Sequence, residues 1–188
     1  MKKILFIVSF LFIIIGSSYA QAQEHLKFMG IPLNGTITQF QAKLQAKGVY
    51  YDAQNSKGLG VGTRAFRGTF SGKKADIYVY YNEKTKVVYR AKAVVSFTDE
   101  DTANNSYYYF VGMLKQKYDA ADVETGTKDN HESLTLLVPN ENENAYYKYL
   151  GSIAVYRTSY YSVRYFIHVD YIDTINDVKN DNRNMDDL

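Results

Sequence analysis

Few of the residue types that do chemistry occur in this chain, and those few lie far apart. Its 188 residues hold three histidines, His25, His131 and His168, and no cysteine. Without cysteine there is no disulfide, thiolate zinc site, iron–sulfur cluster, thiol nucleophile or lipid-modified cysteine. No His-x-x-x-His pair occurs, so a histidine metal site would need distant segments to meet. His168 and Asp170 stand at i and i+2 on one strand face, the relation of a base to its orienting carboxylate. No Gly-x-Ser-x-Gly elbow or oxyanion glycine loop accompanies them, and an ion pair facing solvent is the ordinary outcome. Asp99-x-Asp101 reads as helix-cap chemistry rather than a metal site. Gly58-x-Gly60-x-Gly62 lacks both the third-glycine spacing of a dinucleotide loop and the Gly-Lys-Ser/Thr of a phosphate loop. The sequence therefore assigns no catalytic residue, no metal and no cofactor.

What the chain has in quantity is tyrosine, 19 residues against no tryptophan. Tyrosine and arginine dominate protein-interface hot spots because each combines a large contact area with a polar tip. Their value depends on the elements that hold them. Segments 65–71, 75–81 and 87–97 are rich in β-branched and aromatic residues, with turns at Ser71-Gly72-Lys73 and Asn82-Glu83-Lys84-Thr85. Segments 133–138, 153–158 and 160–172 repeat the signal in the second half. Alternation gives Ala75, Ile77, Val79 and Tyr81 one face and Asp76, Tyr78 and Tyr80 the other. It places Val87, Tyr89, Ala91, Ala93, Val95 and Phe97 inward against Arg90 and Lys92, and Tyr161, Val163, Tyr165, Ile167, Val169 and Tyr171 inward against Arg164, Phe166, His168 and Asp170.

Two helices precede these strand sets. The spacing Phe40-x-x-x-Leu44-x-x-Lys47 recurs as Phe110-x-x-x-Leu114-x-x-Lys117. The first helix has a capping box, Thr36 to Gln39, a stripe of Ile37, Phe40 and Leu44, and a stop at Gly48. The second opens at Thr98 with Asp99, Glu100 and Asp101 in its first turn and buries Ala103, Tyr107, Phe110 and Leu114. The predicted fold is α+β: an antiparallel β-sheet with two helices on one face, built from two helix-plus-three-strand repeats at 21–97 and 98–172. Phe40 and Phe110 are expected on the same side of one sheet. The other face is predicted uncovered, carrying Arg67, Tyr78, Tyr80, Arg90, Lys92, Tyr156, Arg164, Phe166, His168 and Asp170. A solvated sheet face is the plain alternative to an interface there. The segment 139–150 is a long polar connection bearing Tyr146, Tyr147 and Tyr149, and residues 173–188 read as a polar, flexible tail.

The order helix, hairpin, strand, occurring twice, resembles the tandem-repeat fold of the β-lactamase-inhibitor protein, in which two such units line a concave sheet that grips an enzyme. The opening 28–36, FMGIPLNGT, the segment 66–72, FRGTFSG, and the ending 185–188, MDDL, are also similar to a family of small exported bacterial envelope proteins. The resemblance implies an envelope address, in a family with no established activity, and the inhibitor-like fold implies a sheet face that can bind a protein. The inhibitor's disulfides are absent here and tyrosine stands where it has tryptophan, so lactamase binding does not carry over.

The N-terminus agrees with export. Lys2 and Lys3 precede an apolar run over 4–15, and Ser18-Tyr19-Ala20 has the small-x-small form of a cleavage site, predicting a signal peptide over 1–20. That run is too short for the roughly 20 residues that span a bilayer. Removing it leaves 20 basic residues against 20 acidic ones, so the apparent pI of 8.5 gives no support for nucleic-acid binding. Charge is unevenly placed: residues 23–97 hold 12 basic and 4 acidic side chains, and 98–188 hold 8 and 16. The function expected is an exported, non-catalytic module that binds a protein partner, with Tyr78, Tyr80, Arg90, Tyr146, Tyr147, Arg164 and Phe166 as binding residues. The alternative is a carrier of a small molecule, lipid or glycan in the cell envelope.

Overall fold

The computed structural model describes residues 24–128, 131–142, 145–161 and 163–185; the expected signal peptide lies outside them. A small hairpin of β1 (Lys27–Phe28) and β2 (Ile31–Pro32) leads into α1 (Ile37–Gln45), β3 (Tyr50–Tyr51) and the single turn α2 (Ala53–Ser56). Three long strands follow, β4 (Thr63–Phe70), β5 (Lys73–Tyr81) and β6 (Val88–Phe97), and then α3 (Glu100–Lys117). The second half supplies β7 (Asp122–Lys128), β8 (His131–Pro139), β9 (Tyr149–Tyr160), β10 (Arg164–Asp173) and α4 (Thr174–Met185). The architecture is α+β, with one eight-stranded antiparallel sheet in the order β3-β4-β5-β6-β10-β9-β8-β7.

Local chemistry starts and stops α1 where the sequence expects, and starts α3 at Glu100 behind an Asp99 cap rather than at Thr98. Thr36 and Gln39 close a reciprocal capping box on α1, and Gly48, at φ +76°, lets the chain leave it. Asp99 caps α3, accepting from the Thr102 amide at 2.7 Å and its hydroxyl at 2.6 Å; these bonds hold the Asp99 carboxyl below its usual range. Ser71 and Gly72 both have positive φ, the two-residue turn whose twist suits a β4–β5 hairpin. Phe40 and Phe110, 1% and 2% exposed, belong to one hydrophobic cluster with Ile77, Val79, Ala93, Val155, Ile167 and Val169. Both expected rings thus lie in one core against one sheet. The strand order is symmetric about the β6–β10 pair, with β4, β5 and β6 on one side and β10, β9 and β8 on the other.

Four expectations are corrected. Strand β7 lies where none was read, because its sequence, DVETGTK, carries no alternating apolar set and every residue in it is exposed. The supposed continuous strand 160–172 breaks between β9 and β10; Tyr161 takes φ +47° and stands 82% exposed, with Val163 at 63%, so neither faces the core. On β6, the register shift opposite Tyr80 and Tyr81 makes Tyr89 the extra residue of a bulge, and Val88 is buried in place of Val87 and Tyr89. Over Thr174–Met185 the expected flexible tail is a docked helix, and residues 186–188 lie outside the described residues. Ile175 is 1% exposed, Asn176 donates to the Leu33 carbonyl at 2.6 Å, and Asp173 caps the helix through the Asn176 amide at 3.0 Å.

Candidate functional site

Each strand of the central sheet turns alternate side chains away from the shared core, and antiparallel register lines these up in rungs across the open face. One rung runs Thr63, Tyr80, Arg90, Ile172 and Ser152; the next runs Ala65, Tyr78, Lys92, Asp170 and Ala154. A third holds Arg67, Asp76, Val94, His168 and Tyr156, and beyond it Ser96, Phe166 and Thr158 stand together. Arg164 lies one rung further, opposite Tyr160.

Tyr78, Tyr80 and Arg90 are therefore neighbours, and they are held by charge and ring contacts. Arg90 donates Nε to Asp170 at 2.8 Å and a terminal nitrogen at 2.5 Å, a two-pronged pair across the β6–β10 seam. Its guanidinium sits 4.6 Å from the Tyr80 ring centre, and Lys92 lies 5.6 Å from the Tyr78 ring and 6.0 Å from that of Tyr80. Burial pushes both phenols above their ordinary range, with Asp76 reinforcing the shift at Tyr78 and Arg90 opposing it at Tyr80. Burial also lowers the Lys92 ammonium, against the pull of Asp170. Its bond to Asp170 raises the Arg90 pKa. Arg90 thus serves the fold, its partner Asp170 being 3% exposed.

The solvent-facing ion pair expected between His168 and Asp170 is corrected in the same terms, Asp170 being 3% exposed. Asp170 gives both oxygens to Arg90, while His168 Nε2 hydrogen-bonds the Thr158 hydroxyl at 2.8 Å and its ring stacks on Tyr156 at 4.6 Å. His25 meets Asp173 and His131 lies beside Ser159, so the three histidines sit apart.

Phe166 is half-buried beside His168, and Arg164 is exposed at the far end of the face. Tyr146, 90% exposed, and Tyr147 stand on the connection between β8 and β9, their rings 4.9 Å apart; no described contact joins them to Tyr78 or Tyr80. An open depression of about 500 Å³ adjoins the rungs, lined by Arg67, Lys74, Asp76, Val94 and Ser96.

The face is not wholly bare, as the sequence reading had it. Asp52, which caps α2, reaches Arg67 at 3.0 Å along one edge, and α4 packs on β6 and β9 at one end, where Asp177 feels the Arg90 charge. Sequence reasoning missed Lys128, 4.0 Å from the Tyr156 ring, because it sits on the unread β7. It also missed the Asp52 border, whose only local signal is the cap of a four-residue helix.

Among the described residues no helix is long and apolar enough to cross a membrane. Compared with family models, curated proteins and solved structures, the chain finds no match in any of the three.

Proposed function

We propose that this chain is an exported, non-catalytic binding module that grips a protein partner with the sheet face opposite α1 and α3. The observation that carries the reading is the rigid ladder on that face: half-buried Tyr78, Tyr80 and Phe166 alternate with Lys92 and Arg67 on paired strands, next to an open depression. Side chains already fixed by neighbours lose little entropy on docking, and rings beside cations suit a surface of apolar and carboxylate groups. The signal-like N-terminus supports export.

Replacing Tyr78 or Phe166 by Ala should leave the melting temperature within a few degrees of wild type, as changes at partly exposed positions do. It should weaken partner capture from envelope extract by more than about 1 kcal/mol for each true hot spot. Arg90 is unsuited to this test because its loss would strand Asp170. Equal capture by wild type and both variants, each confirmed folded, would move the site off this face.

A further inference from the structure

On the opposite side of the sheet, between the ends of α1 and α3, lies a cavity of about 510 Å³, within the range of small-molecule sites. We propose that it holds a single-chain amphiphilic carboxylate, the acyl chain inside and the anionic head at the mouth. Its walls are apolar: Phe70, Phe110 and Leu114 are each under 10% exposed. Tyr171 completes them at 4% exposed.

Two exposed lysines, Lys47 and Lys117, line the same cavity. They occupy the same place in the spacing Phe-x-x-x-Leu-x-x-Lys, Lys47 just past the end of α1 and Lys117 as the last residue of α3, and no acidic residue lines the cavity with them. Lys117 Nζ rests 5.0 Å from the Tyr118 ring, so its stem is already directed while its charge stays in water. Met29 and Met113 also line the cavity, and Met113 is 41% exposed despite its apolar thioether. Methionine adapts its shape to a chain that has no fixed conformation. Apolar walls with a doubly cationic mouth select a tail that ends in an anion. A neutral or cationic head would forgo the lysines. The cavity is separate from the tyrosine ladder, and the reading does not depend on the one above.

Decanoate is a suitable probe, with decyltrimethylammonium as the cation of equal tail length. Calorimetry on the full chain, below the micelle concentration of each, should show decanoate binding at least about tenfold more tightly. The double variant K47E/K117E, both changes being at exposed positions, should melt like wild type without ligand and lose at least about tenfold in decanoate affinity. With methyl-labelled methionine, decanoate should shift the Met29 and Met113 resonances of the wild-type chain. No decanoate binding, equal affinity for the two probes, unaltered affinity in K47E/K117E, or unmoved Met29 and Met113 methyls would each overturn the proposal.

Discussion

Arg90 and Asp170 are 80 residues apart, yet both prongs of the guanidinium fall on one carboxylate because β6 and β10 pair antiparallel at the centre of the sheet. The carboxylate is almost fully buried, and about a third of the arginine side chain remains exposed. Removing one partner from such a pair leaves a charge that water cannot fully recover. Asp170→Asn should cost about 2–4 kcal/mol in denaturant unfolding, below the full buried-pair figure because Arg90 keeps some solvent contact. The double variant R90L/D170L should lose less than the two single leucine variants together, since neither charge is then stranded. Additive losses would show that the pair contributes no coupling. Alternation along each strand was enough to place these residues on the same face. Which pairs would form depended on register between strands from opposite halves, and nothing local encodes that register.

At the scale of elements, α4 shows how a polar sequence docks. Ile175 supplies the buried apolar contact, while Asp173 and Asn176 spend their polar groups on backbone ends of neighbouring elements. Burial pushes the Asp177 carboxyl up, Asp181 adds to the shift, and Arg90 opposes it. The folded state therefore holds this proton more tightly than the unfolded chain. Stability contributed by the group is present below the ordinary carboxylate value and is lost as pH rises toward the raised folded value. Asp177→Asn should melt higher than wild type at pH 7, with the gain vanishing near pH 3. A lower melting point at pH 7 would mean that attraction to Arg90 and to the helix N-terminus outweighs burial.

Helices α1 and α3 and the six long strands β4, β5, β6, β8, β9 and β10 were legible because caps and apolar periodicity coincide in them. Strand β7 was not, since an exposed edge needs no apolar alternation, and the Tyr160–Arg164 turn has no Gly, Asn or Pro in it. The candidate face was legible as a set of outward residues, whereas the borders made by Asp52 and α4 were not, because they are tertiary contacts. The amphipathic tail was hidden by its composition: one buried isoleucine in a run of Asp and Asn carries little periodic signal.

The whole molecule joins two halves of opposite charge balance, but three features interlock them. The β6–β10 ladder runs through the middle of the sheet, and one hydrophobic cluster takes Phe40, Phe66 and Ile77 from the first half with Phe110, Ile153 and Ile167 from the second. The ends are crossed as well. Helix α4 packs back on β6, while Asp173 of the second half accepts from the Leu26 amide at 2.9 Å and meets His25 at 3.1 Å. Neither half could then open without exposing the core of the other and unpairing a central strand. Urea unfolding should accordingly be one transition, coincident by far-ultraviolet circular dichroism and tyrosine fluorescence, with calorimetric and van't Hoff enthalpies in agreement. Salt should shift its midpoint only modestly, because charge asymmetry between the halves acts through water while the seam is sheet hydrogen bonds and apolar contact. Two separated transitions would mean that each half has a core sufficient to fold alone, and that the central strand pair is a docking contact between two small domains.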